Sequence, residues 1–573
     1  MNSFYSIKKS FIQTLYLLII INYFTTDSFA KINEKKLISN YFSGIVSSNN
    51  NNYDVSLNFL KKLDGLELEH SKFANIYMKS LINNSKLNEA FKFAKRLEKN
   101  NINSFESDLI IAIHHFKNAK YDDANNYFSK LLYDHKKSPL EKLIAETLYF
   151  WSKVELSNFE DSKTSFSNID DRFKNIKKIQ LTFLNCYYEK KNTDFIYNEL
   201  INETNVDFSR YNYFYINYLY KNKNFNKAKI VLEKSLNQSP RNLLLNQTKL
   251  DIINKRKNIV TNQFDCKNIK DIYAELFYLI ANAFSTQSLY DLSNYYLSFA
   301  KYLNPNFPSF EILLAENFYM DDKVKKALLS YKKIKDYGEI YDWHASKQTA
   351  IILINKKNNL KKGIDIMSHS FKKLSNPNVY QIYDYANFLK NNEEFKDSIK
   401  LYTEVLNSID KRHQLYPKAT DGRGIANERL GNWKIAEKDF LQSLEVSPDQ
   451  AYVINYLAYS WIEKGINIEK SLKMLKKANE LKPNDGYITD SLGWALYKLK
   501  KFSEAKKYLQ LAVKLMPSDP IVNDHYADAL WMLNQNLQAR YHWEYVLNLK
   551  ETDEKLRLKI NDKLLFGPNF QTR

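Results

Sequence analysis

Glycine and proline are both scarce, with 11 residues of each in a chain of 573. Average proteins contain roughly 7% glycine and 5% proline, so all-β sandwiches, barrels, collagen-like segments and glycine-rich phosphate loops are excluded. A hydrophobic fraction of 44% is enough to bury a large core, which excludes a disordered chain. The composition therefore indicates a long, all-helical protein.

Cysteine is scarcer still, since Cys186 and Cys266 are the only two in the sequence. An exported chain could pair them. However, 80 residues separate them, which is more than two of the repeats described below and places them about 15–20 Å apart if helix layers lie 8–10 Å apart. A disulfide requires Cα atoms within about 7 Å. We therefore predict two unpaired thiols, packed as small hydrophobic side chains.

Long apolar runs are also lacking, and the one candidate, Phe11 to Phe24, lies near the amino terminus. Polar residues interrupt it, and it is shorter than the roughly 20 residues of a spanning helix. Two lysines precede it, and Ser28 and Ala30 supply small residues at the −3 and −1 positions of a cleavage site. These features predict a signal peptide at residues 1–30, a periplasmic protein, and no transmembrane span in the mature chain. An uncleaved membrane anchor is the alternative.

The net charge is +19, which in principle favours nucleic acid or an anionic membrane as a partner. No dense block of lysine and arginine occurs, and asparagine, isoleucine, tyrosine and phenylalanine are over-represented together with lysine, as AT-rich codons produce. We interpret the basic residues as solvated helix faces, and we expect no nucleic-acid partner.

Motifs of catalysis and metal binding are absent. No histidine is followed by glutamate, so the sequence contains no His-Glu-x-x-His zinc motif. The motif G-x-S-x-G and the phosphate-binding loops are missing as well, and Gly422-Arg423-Gly424 is followed by Asn427 where a third glycine would stand. The sequence predicts no catalytic residue, no metal and no cofactor, and therefore a protein that is not an enzyme.

The positive signal is an internal repeat. Ser471, Ala505 and Ala539 follow one another at intervals of 34 residues, with Gly493 twelve residues before Ala505 and Leu509 four after it. This spacing resembles the tetratricopeptide repeat (TPR), whose units are pairs of helices. Small residues at the matching position of other units are Ser56, Ala90, Ala124, Ser162, Ala228, Ser293, Ala327, Gly363, Ser398 and Ala436.

Each position of the repeat has a physical reason. The two helices of a unit cross closely, so glycine or alanine is needed at the eighth position, as at Gly424 and Gly493, because a large residue would overpack the crossing. Two doubled gaps predict degenerate units around Phe195 and Thr261, giving about fifteen units. The resemblance implies an all-α TPR superhelical solenoid in which each unit contacts its neighbours. Prolines are expected where second helices end, and they are Pro240, Pro305, Pro448, Pro483 and Pro517.

The quality of the repeats predicts a division of the chain. We expect a degenerate amino-terminal TPR lobe at 31–254, an irregular hinge at 255–271 and a better-conforming carboxy-terminal lobe at 272–550. Residues 551–573 are expected to form a capping helix, Glu554 to Leu565, and a tail.

The concave side of such an array is the expected binding surface. The second, fifth, ninth and twelfth positions of a first helix share one face. In the last three units these positions predict an exposed aromatic and acidic protein-binding surface. Its residues are Tyr452, Asn455, Tyr459, Tyr487, Asp490, Trp494, Tyr497, Asp524, Asp528 and Trp531. The alternative is that Trp494 and Trp531 pack between neighbouring first helices.

Three segments of these units, 455–461, 490–494 and 523–531, look like the carboxy-terminal repeats of exported bacterial TPR proteins. That group includes a periplasmic lipoprotein adaptor that partners a carboxyl-terminal processing protease and presents cell-wall hydrolases to it. The resemblance implies a non-catalytic scaffold or adaptor of the cell envelope. Eukaryotic TPR co-chaperones bind acidic tails through basic residues, whereas the acidic face predicted here favours a basic or aromatic partner segment. An RNA-binding helical-repeat protein retained in the cytoplasm is the alternative.

Overall fold

The computed structural model describes residues 36–63, 65–68, 70–203, 205–256 and 263–568. The described residues form thirty α-helices and no strand, so the predicted all-α fold class is confirmed. None of these helices combines the length and the apolar character that crossing a bilayer requires. The predicted signal peptide at residues 1–30 lies outside the described residues.

The helices in chain order are α1 (36–49), α2 (Tyr53–Leu60), α3 (Ser71–Asn83), α4 (Leu87–Lys99), α5 (Phe105–Lys117), α6 (Tyr121–Tyr133), α7 (Pro139–Lys153), α8 (Phe159–Ser167), α9 (Lys174–Tyr187), α10 (Thr193–Ile201), α11 (Tyr211–Lys221), α12 (Phe225–Gln238), α13 (Leu243–Ile253), α14 (Ile269–Thr286), α15 (Tyr290–Leu303), α16 (Pro308–Met320), α17 (Val324–Ile334), α18 (Glu339–Lys357), α19 (Leu360–Lys372), α20 (Val379–Asn391), α21 (Phe395–Ser408), α22 (Tyr416–Arg429), α23 (Trp433–Val446), α24 (Ala451–Glu463), α25 (Ile468–Leu481), α26 (Gly486–Lys498), α27 (Phe502–Leu515), α28 (Pro520–Met532), α29 (Asn536–Asn548) and α30 (Glu554–Phe566).

Consecutive helices pair as the repeat predicts. The degenerate unit around Phe195 is α9 with the short helix α10, which has nine residues. The other degenerate unit begins with α13, and its second half at Thr261 lies in residues 257–262, outside the described part of the chain. The capping helix expected at Glu554 to Leu565 is α30.

The helix crossings explain the small residues. A Cβ added at Gly493 would lie 2.6 Å from Cγ of Leu509, and one added at Gly424 would lie 2.8 Å from Cε1 of Phe440. The eighth position of a first helix therefore touches the large residue of the second helix directly. The prolines also fall as predicted, because each follows the end of a second helix by two residues, as Pro517 follows Leu515.

The helices group into two compact units that divide between Leu374 and Ser375. The segment predicted as a hinge, 255–271, does not separate them. Its described carboxy-terminal part packs inside the first unit, where the ring of Phe264 lies 5.2 Å from Phe183 and 4.4 Å from Phe214. Both partners belong to first helices of the preceding repeats, so the chain returns across them.

Helix α14 continues this return along the inner side of the first unit. Tyr273 donates to the backbone oxygen of Leu148 in α7 at 2.6 Å, and its ring lies 4.8 Å from Phe116 of α5. The following helix, α15, reaches the start of the array, where Asp291 accepts hydrogen bonds from Tyr53 at 3.3 Å and Lys79 at 2.9 Å. The prediction that each repeat contacts only its neighbouring repeats is therefore wrong for the compact unit that ends at Leu374.

The same return corrects the prediction of unpaired thiols. Cys186 and Cys266 form a disulfide, with their Cα atoms 6.0 Å apart. The predicted separation of 15–20 Å assumed that successive units stack in one direction. Because the segment before α14 folds back onto α9 and α11, residues more than two repeats apart in sequence become neighbours.

The second unit keeps the simpler arrangement. Each helix from α20 to α30 packs against the next, and the first helices of several neighbouring units also touch. This part of the chain has the regular repeat spacing, so local packing of consecutive helices is enough to bury its apolar faces.

Candidate protein-binding surfaces

The structure divides the predicted concave surface of the second unit into exposed and buried positions. Tyr452 and Tyr487 are exposed, with 54% and 60% of their surface accessible. Asn455, Tyr459 and Trp531 are half-buried. The other five members are buried and do not form an open acidic surface, which corrects their expected exposure. They are Asp490, Trp494, Tyr497, Asp524 and Asp528.

Trp494 is buried because neighbouring first helices close over it. Its ring stacks on His525 of α28 with centroids 3.9 Å apart and on Tyr497 at 4.7 Å. Its indole N–H donates to Glu463 of α24 at 2.6 Å. The alternative in which this tryptophan packs between first helices is therefore what the structure shows.

The acidic residues are neutralised by side chains of the same unit. Lys563 of α30 donates to Asp524 at 2.5 Å and to Asp528 at 2.8 Å. The imidazole of His525 lies 2.9 Å from Asp490. The capping helix thus supplies the basic side chain that the sequence led us to expect from a partner.

Burial and neighbouring charges together set the pKa values of this cluster. Burial and the nearby carboxylate of Asp524 raise the pKa of Asp528. Burial alone would lower the pKa of His525, but the charge and hydrogen bond of Asp490, together with the charges of Asp524 and Asp528, outweigh it and raise that pKa overall. The same competition raises the pKa of Lys563, because two carboxylates face its ammonium group. The lysine and the histidine are therefore held in their charged forms.

A row of exposed residues remains at the second position of successive first helices. Tyr452, Tyr487 and Ile521 occupy this position in α24, α26 and α28, and Ile521 is 43% exposed. We call these three residues the position-two ladder. Lys482 covers one face of Tyr452, with its Nζ atom 4.3 Å from the ring centre. The hydroxyl of Tyr452 donates a hydrogen bond of 2.9 Å to Asp485. Large aromatic side chains flanked by polar groups are typical of binding hot spots.

Sequence reasoning missed a second candidate surface, in the first unit. A cavity of about 680 Å³ is lined by Tyr278 and Asn282 of α14 and by Ile312 and Glu316 of α16. Tyr278 and Asn282 are the fifth and ninth residues of the repeat in which Ala281 is the eighth. Ile312 and Glu316 hold the same positions in the next repeat, in which Ala315 is the eighth. The rule of shared helix positions that predicted Tyr452 and Asp490 also selects these four residues when it is applied to the repeats of α14 and α16.

In the described ranges, no group of three or more histidine, cysteine, aspartate or glutamate side chains is arranged to hold an ion. The two candidate surfaces consist instead of aromatic, amide and carboxylate groups. Such groups bind proteins and peptides by shape, stacking and hydrogen bonding.

Residues 323–551 match a tetratricopeptide-repeat family model. A TPR repeat-containing protein of Pseudomonas aeruginosa is 28% identical over 130 residues, which are 22% of this chain and 20% of that protein. The match thus spans about a fifth of that relative's length. Together with the helix pairs, these findings show an all-α TPR-repeat fold, and TPR repeats suggest a protein-interaction scaffold.

Similar solved structures cover about a third of the chain. MamA from Desulfovibrio magneticus RS-1 is 16% identical, with a TM-score of 0.27, over 31% of this chain and 97% of that one. YrrB, described as a TPR protein with an unusual peptide-binding site, is also 16% identical with a TM-score of 0.27, over 32% of this chain and 92% of that one.

Proposed function

We propose that this protein is a non-catalytic scaffold of the bacterial cell envelope that presents partner proteins to a processing protease. The observation that carries the proposal is the position-two ladder on a regular TPR array. Three exposed apolar side chains recur there at the same position of successive units. A partner segment lying across the first helices would contact all three.

Export is supported by two independent features of the chain. The amino-terminal residues have the pattern of a signal peptide. The disulfide between Cys186 and Cys266 is of the kind that persists in oxidising compartments such as the periplasm and is rare in the cytosol. Fractionation of cells, with thiol labelling before and after reduction, tests both features together.

The binding role is tested by a pull-down of the tagged full chain from the periplasmic fraction, followed by mass spectrometry. The informative variant is Tyr452→Ala/Tyr487→Ala, whose exposed side chains are removable with little effect on folding. The matched control is Leu537→Ala/Tyr541→Ala on the second helix α29, where the residues are 81% and 68% exposed.

An envelope protease or hydrolase that is captured by the wild type and the control, but lost from the ladder variant, supports the proposal. Equal capture by all three proteins contradicts the assigned surface. Retention in the cytoplasm together with salt-sensitive RNA binding would contradict the scaffold function itself and favour the RNA-binding alternative.

A further inference from the structure

The cavity of the first unit, of about 680 Å³, differs in chemistry from the position-two ladder. It lies among the amino-terminal parts of several first helices and is lined by α9, α13, α14, α16, α18 and the segment before α11. Its volume is within the range of about 300–1,000 Å³ that is usual for ligand sites. We call it the interior cavity.

One wall of the interior cavity is a fixed ion pair. Arg210 donates two hydrogen bonds to the buried carboxylate of Glu275, both of 2.7 Å, and a third to Ser309 at 3.0 Å. Its guanidinium carbon lies 3.9 Å from the ring centre of Tyr278. The positive charge of Arg210 is therefore balanced, and this wall presents a rigid aromatic surface without net charge.

Glu316, in contrast, lines the cavity with an unbalanced carboxylate. Among the described residues, no lysine or arginine forms an ion pair with it, and the nearest basic group is His344, with Nε2 3.7 Å from Oε1. Burial lowers the pKa of His344 to about 4, so this imidazole is neutral at neutral pH. Partial burial raises the pKa of Glu316 to about 6, and 45% of its side chain stays accessible, so its carboxylate is mostly ionised under the same conditions.

We infer that the interior cavity receives a lysine or arginine side chain from an extended segment of a partner protein, with Glu316 as its counter-ion. Charge complementarity selects this occupant. The protein as a whole carries a net charge of +19 and repels cations, whereas the free charge in this cavity is negative. The inference rests on the proposed scaffold function and adds the chemistry of one segment that the scaffold would bind.

The test measures binding of three dye-labelled peptides to the full chain by fluorescence anisotropy at neutral pH and moderate salt. The peptides are acetyl-Ala-Ala-Lys-Ala-Ala-amide and the two in which norleucine or glutamate replaces the lysine. We expect the lysine peptide to bind at least about tenfold more tightly than the norleucine peptide, and the glutamate peptide to bind most weakly.

Glu316→Gln removes the charge with almost no change of shape and is expected to abolish the tenfold preference without lowering the melting temperature. Asp322→Asn is the matched control, since Asp322 is an exposed acid just beyond α16 and lies outside the lining of the cavity. Equal binding of the lysine and norleucine peptides, or an unchanged preference in Glu316→Gln, overturns the inference.

Competition by n-butylammonium distinguishes a protein segment from a free amine. Displacement of the lysine peptide at concentrations comparable to its own would show that a small amine fills the site and would overturn the assignment to a partner protein. The ladder variant Tyr452→Ala/Tyr487→Ala leaves the interior cavity intact. Undiminished capture of partners by this variant, with the lysine preference of the peptides intact, shows that the proposed function has failed and the inference has not. Loss of captured partners from this variant, with no lysine preference in wild type, shows that the inference alone has failed.

Discussion

Lys563 is the buried counter-ion of two buried aspartates in the second unit. Asp524 and Asp528 are 1% and 3% exposed, and the lysine itself is 5% exposed. Burying one carboxylate without a counter-ion is costly, and here two carboxylates share one ammonium group. The stability of the last repeat therefore depends on a residue of the helix that follows it.

Lys563→Met is expected to lower the free energy of unfolding of the second unit by about 3–5 kcal/mol, because it leaves a buried acidic pair. The measurement is urea denaturation followed by tryptophan fluorescence, since five of the seven tryptophans lie in residues 375–573. Lys559→Met is the control. Its ammonium lies 3.6 Å from Asp524 but the side chain is 58% exposed, so its loss should cost less than about 1 kcal/mol. Equal effects of the two substitutions would contradict the argument.

His525 makes the stability of the same unit depend on pH. Against the effect of burial, its pKa in the folded state is raised above the ordinary value of 6.5 by Asp490, Asp524 and Asp528 together. The folded protein thus binds this proton more tightly than the unfolded chain. The stabilisation that protonated His525 gives to the folded state is present in full below pH 6.5, and it is lost as the pH rises through the folded-state pKa.

Wild-type protein should therefore become less stable between pH 6.5 and the higher pKa of folded His525, with a slope of up to about 1.4 kcal/mol per pH unit. His525→Gln should remove this slope. Asp528 titrates in a lower window, because burial raises its pKa from 3.8 to about 6. Urea midpoints measured across neutral and mildly alkaline pH test the assignment, and parallel curves for the two proteins would refute it.

Among the helices, the repeat pattern predicted the contacts within a single repeat, but it missed the contacts between segments that lie far apart in the sequence. Gly493 against Leu509 and Pro517 after α27 follow from one unit alone, so periodicity found them. The contact of Phe264 with Phe183, and the disulfide beside it, join segments whose separation is not a multiple of the repeat. Burial of Asp524 was missed for a related reason, since α30 was recognised as a cap but its Lys563 was not placed against α28.

The disulfide joins the end of α9 to the segment before α14 and closes a loop of 80 residues. A loop of this length restricts the unfolded chain by about 4 kcal/mol in the chain-entropy description. Cys186→Ser/Cys266→Ser should lower the free energy of unfolding of the first unit by an amount of this order. The measurement is urea denaturation followed by far-ultraviolet circular dichroism.

Addition of reductant supplies the control for this prediction. It should bring wild type to the stability of the double serine variant and leave the variant unchanged. Labelling of both cysteines by maleimide in the folded, unreduced protein would contradict the disulfide itself.

At the scale of the molecule, the two units are stabilised differently. The second is a repeat array of neighbouring pairs, whereas in the first α15 and α17 return to contact α2 and α3. Asp291 accepts hydrogen bonds from Tyr53 and Lys79, and Lys326 of α17 forms an ion pair with Asp54 of α2 at 2.7 Å. The first unit should accordingly unfold as one cooperative body.

Asp291→Asn weakens the closure and is expected to cost about 1–3 kcal/mol, because it removes the charge from two hydrogen bonds. Hydrogen exchange should then accelerate in α2 and α15 together, although 238 residues separate Tyr53 from Asp291. Asp322→Asn, at an exposed ion pair with Lys356, should leave both helices as protected as in wild type. Acceleration confined to α15 would show that the closure adds no cooperativity.

The contacts between distant segments of the first unit also affect how the chain folds during synthesis. Tyr53 leaves the ribosome 238 residues ahead of Asp291, which at about 5–20 residues per second is a delay of roughly 12–50 s. During part of that time the apolar side chains of α5, α7 and α11 that later contact α14 are uncovered, because these helices are made before α14. An array of independent repeats would finish each unit as it emerged, whereas this one has an interval in which it needs protection from aggregation.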